Sequence, residues 1–163
     1  MKNRKIYLNW LDCYRKFHPS GMSPEENFRY IPKQGYGVCA IACFLSEVIR
    51  YSVNSVNIWI NNLTDLANSE APDGKFAVGN AYWVLITGDY VFIGNEYVEE
   101  YQVILNREQF LYILEQYKAF LKGKYKDPNN PPAPIDVEFI AEEQEAIDLY
   151  DSLEGSHQVF YIC

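Results

Sequence analysis

Histidine is almost absent from this sequence, and so are the motifs that would give it a known chemistry. Only His18 and His157 occur, so no His-Glu-x-x-His zinc motif can form. The Gly-x-Gly-x-x-Gly, Walker and Gly-x-Ser-x-Gly patterns are also missing, and with them the usual signs of a nucleotide loop or a serine nucleophile. These absences predict no metal ion and no other cofactor, and they favour a binding protein over an enzyme.

Long apolar runs are lacking as well. The longest covers residues 38–45, which is eight residues, whereas a membrane-spanning helix needs roughly 20. The basic start at residues 2–5 is not followed by the apolar stretch of a signal peptide. We therefore expect a cytoplasmic protein with no membrane partner.

The sequence has four cysteines, Cys13, Cys39, Cys43 and Cys163. They are too few and too irregularly spaced for the disulfide framework of a secreted protein.

Basic residues are absent from the last part of the chain. Residues 127–163 carry nine Asp and Glu and no Lys or Arg, so they account for the whole formal charge of −8. Within them, residues 140–154 predict a helix, since Ile140, Ile147, Tyr150 and Leu153 form a stripe at helical spacing. Carboxylates recur every three residues along this helix, and no cation relieves their repulsion.

Two interpretations of this acidic segment stay open. It is a solvated helix face that aids solubility, or it is a surface that docks onto a basic protein. On the second interpretation the partner-binding residues are Glu142, Glu143, Glu145, Asp148, Asp151 and Glu154, with Tyr150 as the aromatic anchor. Direct binding of nucleic acid is not expected, because the basic residues form only short runs at 2–5, Arg15-Lys16 and 118–126.

A cysteine hydrolase or peptidase is the rival function. Gln34 precedes Cys39 at the start of an apolar helix, and His157 could act as the base, in the type and order of papain-like and bacteriocin-processing peptidases. The apolar surroundings of Cys39 argue for a structural thiol. A generic regulatory adaptor is a third possibility.

The coarse pattern predicts one α+β domain over residues 1–163. A mostly antiparallel meander is expected around residues 76–105, with residues 76–87 as one extended strand followed by a Gly88-Asp89 turn. Helices are expected near residues 38–51, 106–122 and 140–154, the second of them capped by Asn106. A proline-rich linker at residues 127–134 leads to the acidic C-terminal segment, where residues 158–163 predict a last strand.

One section of the chain resembles a known group of proteins. It reads Gly-Asn-Ala-Tyr-Trp-Val-Leu-Ile-Thr-Gly-Asp-Tyr-Val-Phe-Ile from Gly79, and Leu-Asn-Arg-Glu-Gln-Phe-Leu-Tyr-Ile-Leu from Leu105. The order of an aromatic strand, an Asp-x-Val-x-Ile strand and a following helix is similar to bacterial immunity proteins of contact-dependent growth inhibition and other polymorphic toxin systems. The resemblance implies a cytosolic antidote that binds one cognate toxin domain, often a nuclease, and blocks its active site.

Overall fold

The chain has an α+β fold, as the sequence predicts. A computed structural model describes residues 1–26, 32–68, 75–79 and 81–152. Within these ranges the helices are α1 (Gly37–Phe44), α2 (Val53–Asn68), α3 (Arg107–Gly123) and α4 (Glu143–Ser152), and α1 continues into a π-helical turn at Leu45–Ile49. The strands are β1 (Lys2–Leu11), β2 (Lys16–Ser20), β3 (Lys75–Gly79), β4 (Tyr82–Thr87), β5 (Tyr90–Asn95), β6 (Gln102–Asn106), β7 (Ile135–Phe139) and β8 (Ala141–Glu142).

These strands form two antiparallel sheets. One has the order β2-β1-β7 and the other the order β3-β4-β5-β6-β8. Alternate side chains of β4, β5 and β6 enter two different cores, as the pleat of a strand requires. The main core lies between the sheets and α1, α2 and α3. The second core lies under α4 and contains Trp83, Leu85, Phe92, Ile104, Ala141 and Ala146.

Two of the predicted helices are confirmed with their physical causes. α1 is apolar nearly all round and its side chains are almost all buried, which is typical of a central helix. α3 begins after Asn106, whose side-chain oxygen accepts from the backbone N–H of Gln109 at 2.8 Å. Its inner face buries Phe110, Ile113, Leu114 and Tyr117.

The prediction of one strand over residues 76–87 is wrong. The segment is a hairpin, in which β3 pairs antiparallel with β4 and Gly79 lies opposite Tyr82. Ala81, in the connection, has a φ of 71°, which lies in the left-handed region that turns require. Apolar residues run continuously on both sides of the connection, so the pattern reads as one strand and hides this turn.

The acidic helix begins three residues later than predicted. Ala141 and Glu142 are strand residues paired with β6, at Ile104 and Val103. Glu143 then adopts a φ of 55°, which turns the chain from β8 into α4. The predicted start rests on helical periodicity alone, and periodicity carries no information about pairing with a strand that is distant in the chain.

The proline-rich segment at residues 127–134 contains no helix or strand, and most of its residues are exposed. It leads into β7, where Ile135, Val137 and Phe139 alternate with exposed residues as a half-buried strand does. The predicted strand at residues 158–163 lies outside the described residues.

No single helix in the described ranges is long and apolar enough to cross a membrane. The helices Gly37–Ile49 and Val53–Thr64, which are bent by 116° relative to each other, pass that test only as a pair.

Candidate protein-binding surface

Glu142, the first carboxylate predicted to bind a partner, faces the interior. Its exposed fraction is 4%. The Nε and Nη2 atoms of Arg4 both donate to Glu142 Oε1, with Nε at 3.1 Å. Glu142 Oε2 is also buried, and no hydrogen bond reaches it in the part of the chain that the structure describes. A side chain so enclosed has no surface to offer to a partner, which corrects the sequence interpretation for this residue.

Glu142 and Glu143 both lie at the N-terminus of α1. Tyr36, the residue before α1, has no capping side-chain hydrogen bond, but its backbone N–H donates to Glu143 Oε1 at 3.3 Å. A Cβ atom at Gly37 would lie 2.5 Å from Glu142 Oε2, so glycine permits the close approach of that carboxylate. The positive end of a helix dipole stabilises neighbouring carboxylates. The two residues therefore join the start of α4 to the central helix.

Tyr150, predicted as the anchor for a partner, packs against the protein's own sheet. Its ring centroid lies 5.1 Å from that of Trp83 and 5.5 Å from that of Phe92. With Ala146, which is buried, it fixes the inner side of α4 to the second core. Tyr150 thus holds the helix in place, and its ring is engaged before any partner arrives.

The exposed side of α4 keeps the remaining acidic residues. Glu145, Asp148 and Asp151 are exposed, and we call them the α4 acidic face. Lys2 lies 3.1 Å from Glu145, but both side chains are largely exposed, and such pairs contribute little to stability. Gln144 donates to Asp148 at 2.9 Å, but its amide is neutral, and within the described residues no ion pair compensates the charge of Asp148. Glu154 lies outside the described residues.

An exposed aromatic residue that the sequence analysis missed lies in the β5–β6 connection. Tyr97 is 81% exposed, and the neighbouring Glu96, Glu99 and Glu100 are exposed too. Asn95 Oδ1 accepts from the backbone N–H of Tyr97 at 2.8 Å and of Val98 at 2.9 Å, so the connection has a defined shape. The sequence signal was an Asn next to a run of acidic residues, which resembles any polar turn.

The Cys39 thiol lacks the features of a nucleophile. Burial raises its pKa from 9.0 to about 12, whereas a reactive thiol has a lowered pKa. Burial likewise raises the pKa of Cys43, one helical turn later. His157, the proposed base, lies outside the described residues. The surroundings of Cys39 thus favour the structural thiol over the rival hydrolase.

Alkylation of Cys39 should be slow in the folded protein. A rise in pKa from 9.0 to about 12 lowers the thiolate fraction about 1,000-fold, and the thiolate is the reacting species. Cys13 is exposed and serves as the internal control. Iodoacetamide labelling at neutral pH, followed by mass spectrometry of each cysteine peptide, should give a rate for Cys39 at least about 100-fold below that for Cys13. Equal rates would restore the hydrolase interpretation.

A cavity of about 640 Å³ lies between β1, β7 and the start of α3. Two of its amide side chains are engaged within the protein. The Gln34 side chain accepts from Lys5 N at 2.7 Å and donates to Lys5 O at 2.8 Å. Gln109 Oε1 accepts from Glu138 N at 3.2 Å. The described residues also contain no group of three or more His, Cys, Asp or Glu placed to hold a metal ion.

In comparisons with protein-family models, with curated proteins and with solved structures, nothing matches this chain. The resemblance to immunity proteins therefore stays a prediction from the sequence.

Proposed function

We propose that this chain is a cytoplasmic immunity protein that binds and neutralises a cognate toxin domain through the α4 acidic face. The observation that carries the proposal is that one acidic segment contains two sets of residues, one that attaches α4 to the protein and one that remains exposed. Glu142, Glu143 and Tyr150 fasten α4 to the rest of the protein. Glu145, Asp148 and Asp151 remain on its outer side, with few cations to compensate them.

A fixed helix is well suited to binding. Association loses free energy when a surface must first become ordered, and the contacts of Ala146 and Tyr150 with the second core avoid that loss. Exposed carboxylates on a rigid face also attract a basic partner over a distance and disfavour acidic ones. Tyr97, which is exposed in another acidic segment, is a further candidate anchor, because tyrosine is common at the centre of interfaces.

The charge of the face defines the kind of toxin. A nuclease must attract phosphate, so its active-site cleft is basic. An acidic helix that enters such a cleft would compete with the nucleic acid for the same cations. The proposed partner is therefore a basic toxin domain, with a nuclease as the preferred class, and inhibition would follow from occlusion of its active site.

Charge reversal on the α4 acidic face should abolish protection. The toxin domain to test is the C-terminal domain of any large exported protein whose gene lies beside the gene for this chain. Co-expression with the wild-type chain should keep cells viable. Replacement of Glu145, Asp148 and Asp151 with Lys should lower the affinity of the purified complex roughly tenfold or more, because three attractive contacts become repulsive. The salt dependence of binding should also become flatter.

The matched control makes the same change in charge elsewhere. Glu25, Glu115 and Asp127 are exposed on other elements, so the variant with Lys at these three positions should protect cells as the wild type does. Equal loss in both variants would mean that net charge alone matters and would remove α4 from the interface. A neighbouring domain that is harmless, or that kills despite this chain, would refute the immunity function. Capture of a harmless regulatory protein instead would favour the adaptor.

A further inference from the structure

Two basic runs that are distant in the sequence meet in the fold. Arg15 and Lys16 lie at the β1–β2 hairpin, and Lys126 follows α3. All three line a second cavity of about 640 Å³. Among the described residues that line it, Asp12 is the one acidic side chain. This local excess of positive charge stands out in a chain whose formal net charge is −8.

Tyr125 is one of the aromatic residues that line this cavity. α3 ends at Gly123, and Lys124 adopts a left-handed φ of 51°, which turns the chain back. The Tyr125 ring then stacks on Phe120 with centroids 5.9 Å apart and planes 10° apart. A Cβ atom at Gly123 would lie 2.5 Å from the Tyr125 ring, so the glycine allows this position. The end of the helix thereby holds an aromatic surface in place.

Trp10 is the other aromatic residue of the lining. Its Nε1 donates to Asp12 Oδ1 at 3.0 Å, and its ring packs edge-on against Phe17 at 5.1 Å. These two contacts fix the orientation of the indole. The neutral indole does not cancel the charge of Asp12, but the described lining holds three cations against this one carboxylate and so remains net positive.

The cations differ in how they are held. Lys16 Nζ lies 3.7 Å from the centroid of the Tyr51 ring, a cation–π contact that positions its ammonium group. Arg15 and Lys126 are exposed, and within the described ranges no ion pair joins either of them to a carboxylate. Two cations are therefore available to a ligand, beside a third that is fixed.

We propose that this cavity binds a nucleoside diphosphate. Bases stack on Trp and Tyr rings, and phosphate oxygens bind Arg and Lys. The volume lies within the range of small-molecule sites, about 300–1,000 Å³. A long nucleic acid is disfavoured by the acidic charge of the remaining surface. The site involves none of the residues of the α4 acidic face, so it stands or fails independently of the immunity function.

Isothermal titration of the full chain with ADP, pyrophosphate and adenosine tests the proposal. ADP should bind at least about tenfold more tightly than either fragment, because only ADP reaches both the rings and the cations. Its affinity should fall as salt rises. Equal affinity for ADP and pyrophosphate would reduce the site to a surface for any anion and would overturn the proposal. Absence of ADP binding would also overturn it.

Variants then locate the site. Arg15→Asn suits the left-handed φ of 53° at this position, and Lys126→Ser removes the second free cation. Together they should weaken ADP binding about tenfold or more. Lys122→Ser removes one charge, as Lys126→Ser alone does, from an exposed residue of the same basic run outside the cavity lining; it should change affinity less than about twofold, whereas Lys126→Ser alone should weaken ADP binding by more than that. An equal loss in the Lys122 control would place the ADP elsewhere and refute this site.

Discussion

Replacement of Arg4 with methionine is expected to lower the free energy of unfolding by about 3 kcal/mol, because it leaves a carboxylate buried without its counter-charge. The side chain of Glu142 is 3% exposed, and both donors to its Oε1 atom come from Arg4. Its other oxygen has no described hydrogen bond that could compensate. Urea unfolding at neutral pH, followed by far-UV circular dichroism, measures the change.

A substitution at Glu142, the other member of the ion pair, should lower the free energy of unfolding less. The Arg4 side chain is 25% exposed and can reach water when its partner loses charge, so Glu142→Gln should destabilise the protein less than Arg4→Met. The double variant Arg4→Met, Glu142→Leu should recover most of the loss, since an apolar pair often replaces a buried ion pair without cost.

Lys5 provides the control for this prediction. Lys5 lies on β1, as Arg4 does, and its ammonium group is 2.6 Å from Asp136 on β7. Both side chains of this pair are exposed. Lys5→Met should therefore leave the urea midpoint close to that of the wild type. If Arg4→Met behaved like Lys5→Met, then Glu142 would not depend on Arg4, and the attachment of α4 to β1 and α1 would need another explanation.

The elements that the sequence predicts correctly are those with local causes. α3 follows from the Asn106 cap and one apolar face, and both signals lie within the helix or next to it. α1 follows from a continuous apolar run. In each case neighbouring residues determine the structure, so no distant contact is needed to predict it.

The errors concern residues whose surroundings come from distant parts of the chain. The carboxylates at residues 142–151 look alike in the sequence. Among them only Glu142 pairs with Arg4, and that pairing is not apparent from the sequence because the two residues are 138 positions apart. Pairing with β6 brings Glu142 inward, and the same pairing delays the start of α4. Charge patterning can therefore indicate an acidic segment without telling which of its side chains are exposed.

The basic residues illustrate the same limit in the opposite direction. In the sequence, Arg15-Lys16 and residues 118–126 are separate short runs, which predict no direct binding of nucleic acid. The fold places Lys126 beside the hairpin that carries Arg15 and Lys16. Clustering in space depends on how α3 ends and how β1 turns into β2, and neither can be read from the spacing of the cations.

The second large effect is expected at Trp83, which supports α4 from the sheet. It is 9% exposed and packs with Tyr150 at 5.1 Å. Replacement with Ala should lower the free energy of unfolding by about 3–5 kcal/mol, the usual range for a buried aromatic residue cut back to Ala. Urea unfolding measures the loss, and faster amide exchange in α4 would show that the helix depends on this ring.

Gly94 tests whether the indole position is fixed by the strand beneath it. Gly94 lies opposite Trp83 in the β4–β5 pair, and a Cβ atom there would lie 2.3 Å from Trp83 Cζ2. Gly94→Ala should therefore cost about 1–3 kcal/mol in the wild type, because the ring must move. In the Trp83→Ala background the added methyl group meets open space, so the same substitution should cost little. An equal cost in both backgrounds would show that the two residues are independent. A large coupling would mean that one glycine in β5 keeps the indole flat against the sheet and so determines where α4 can rest.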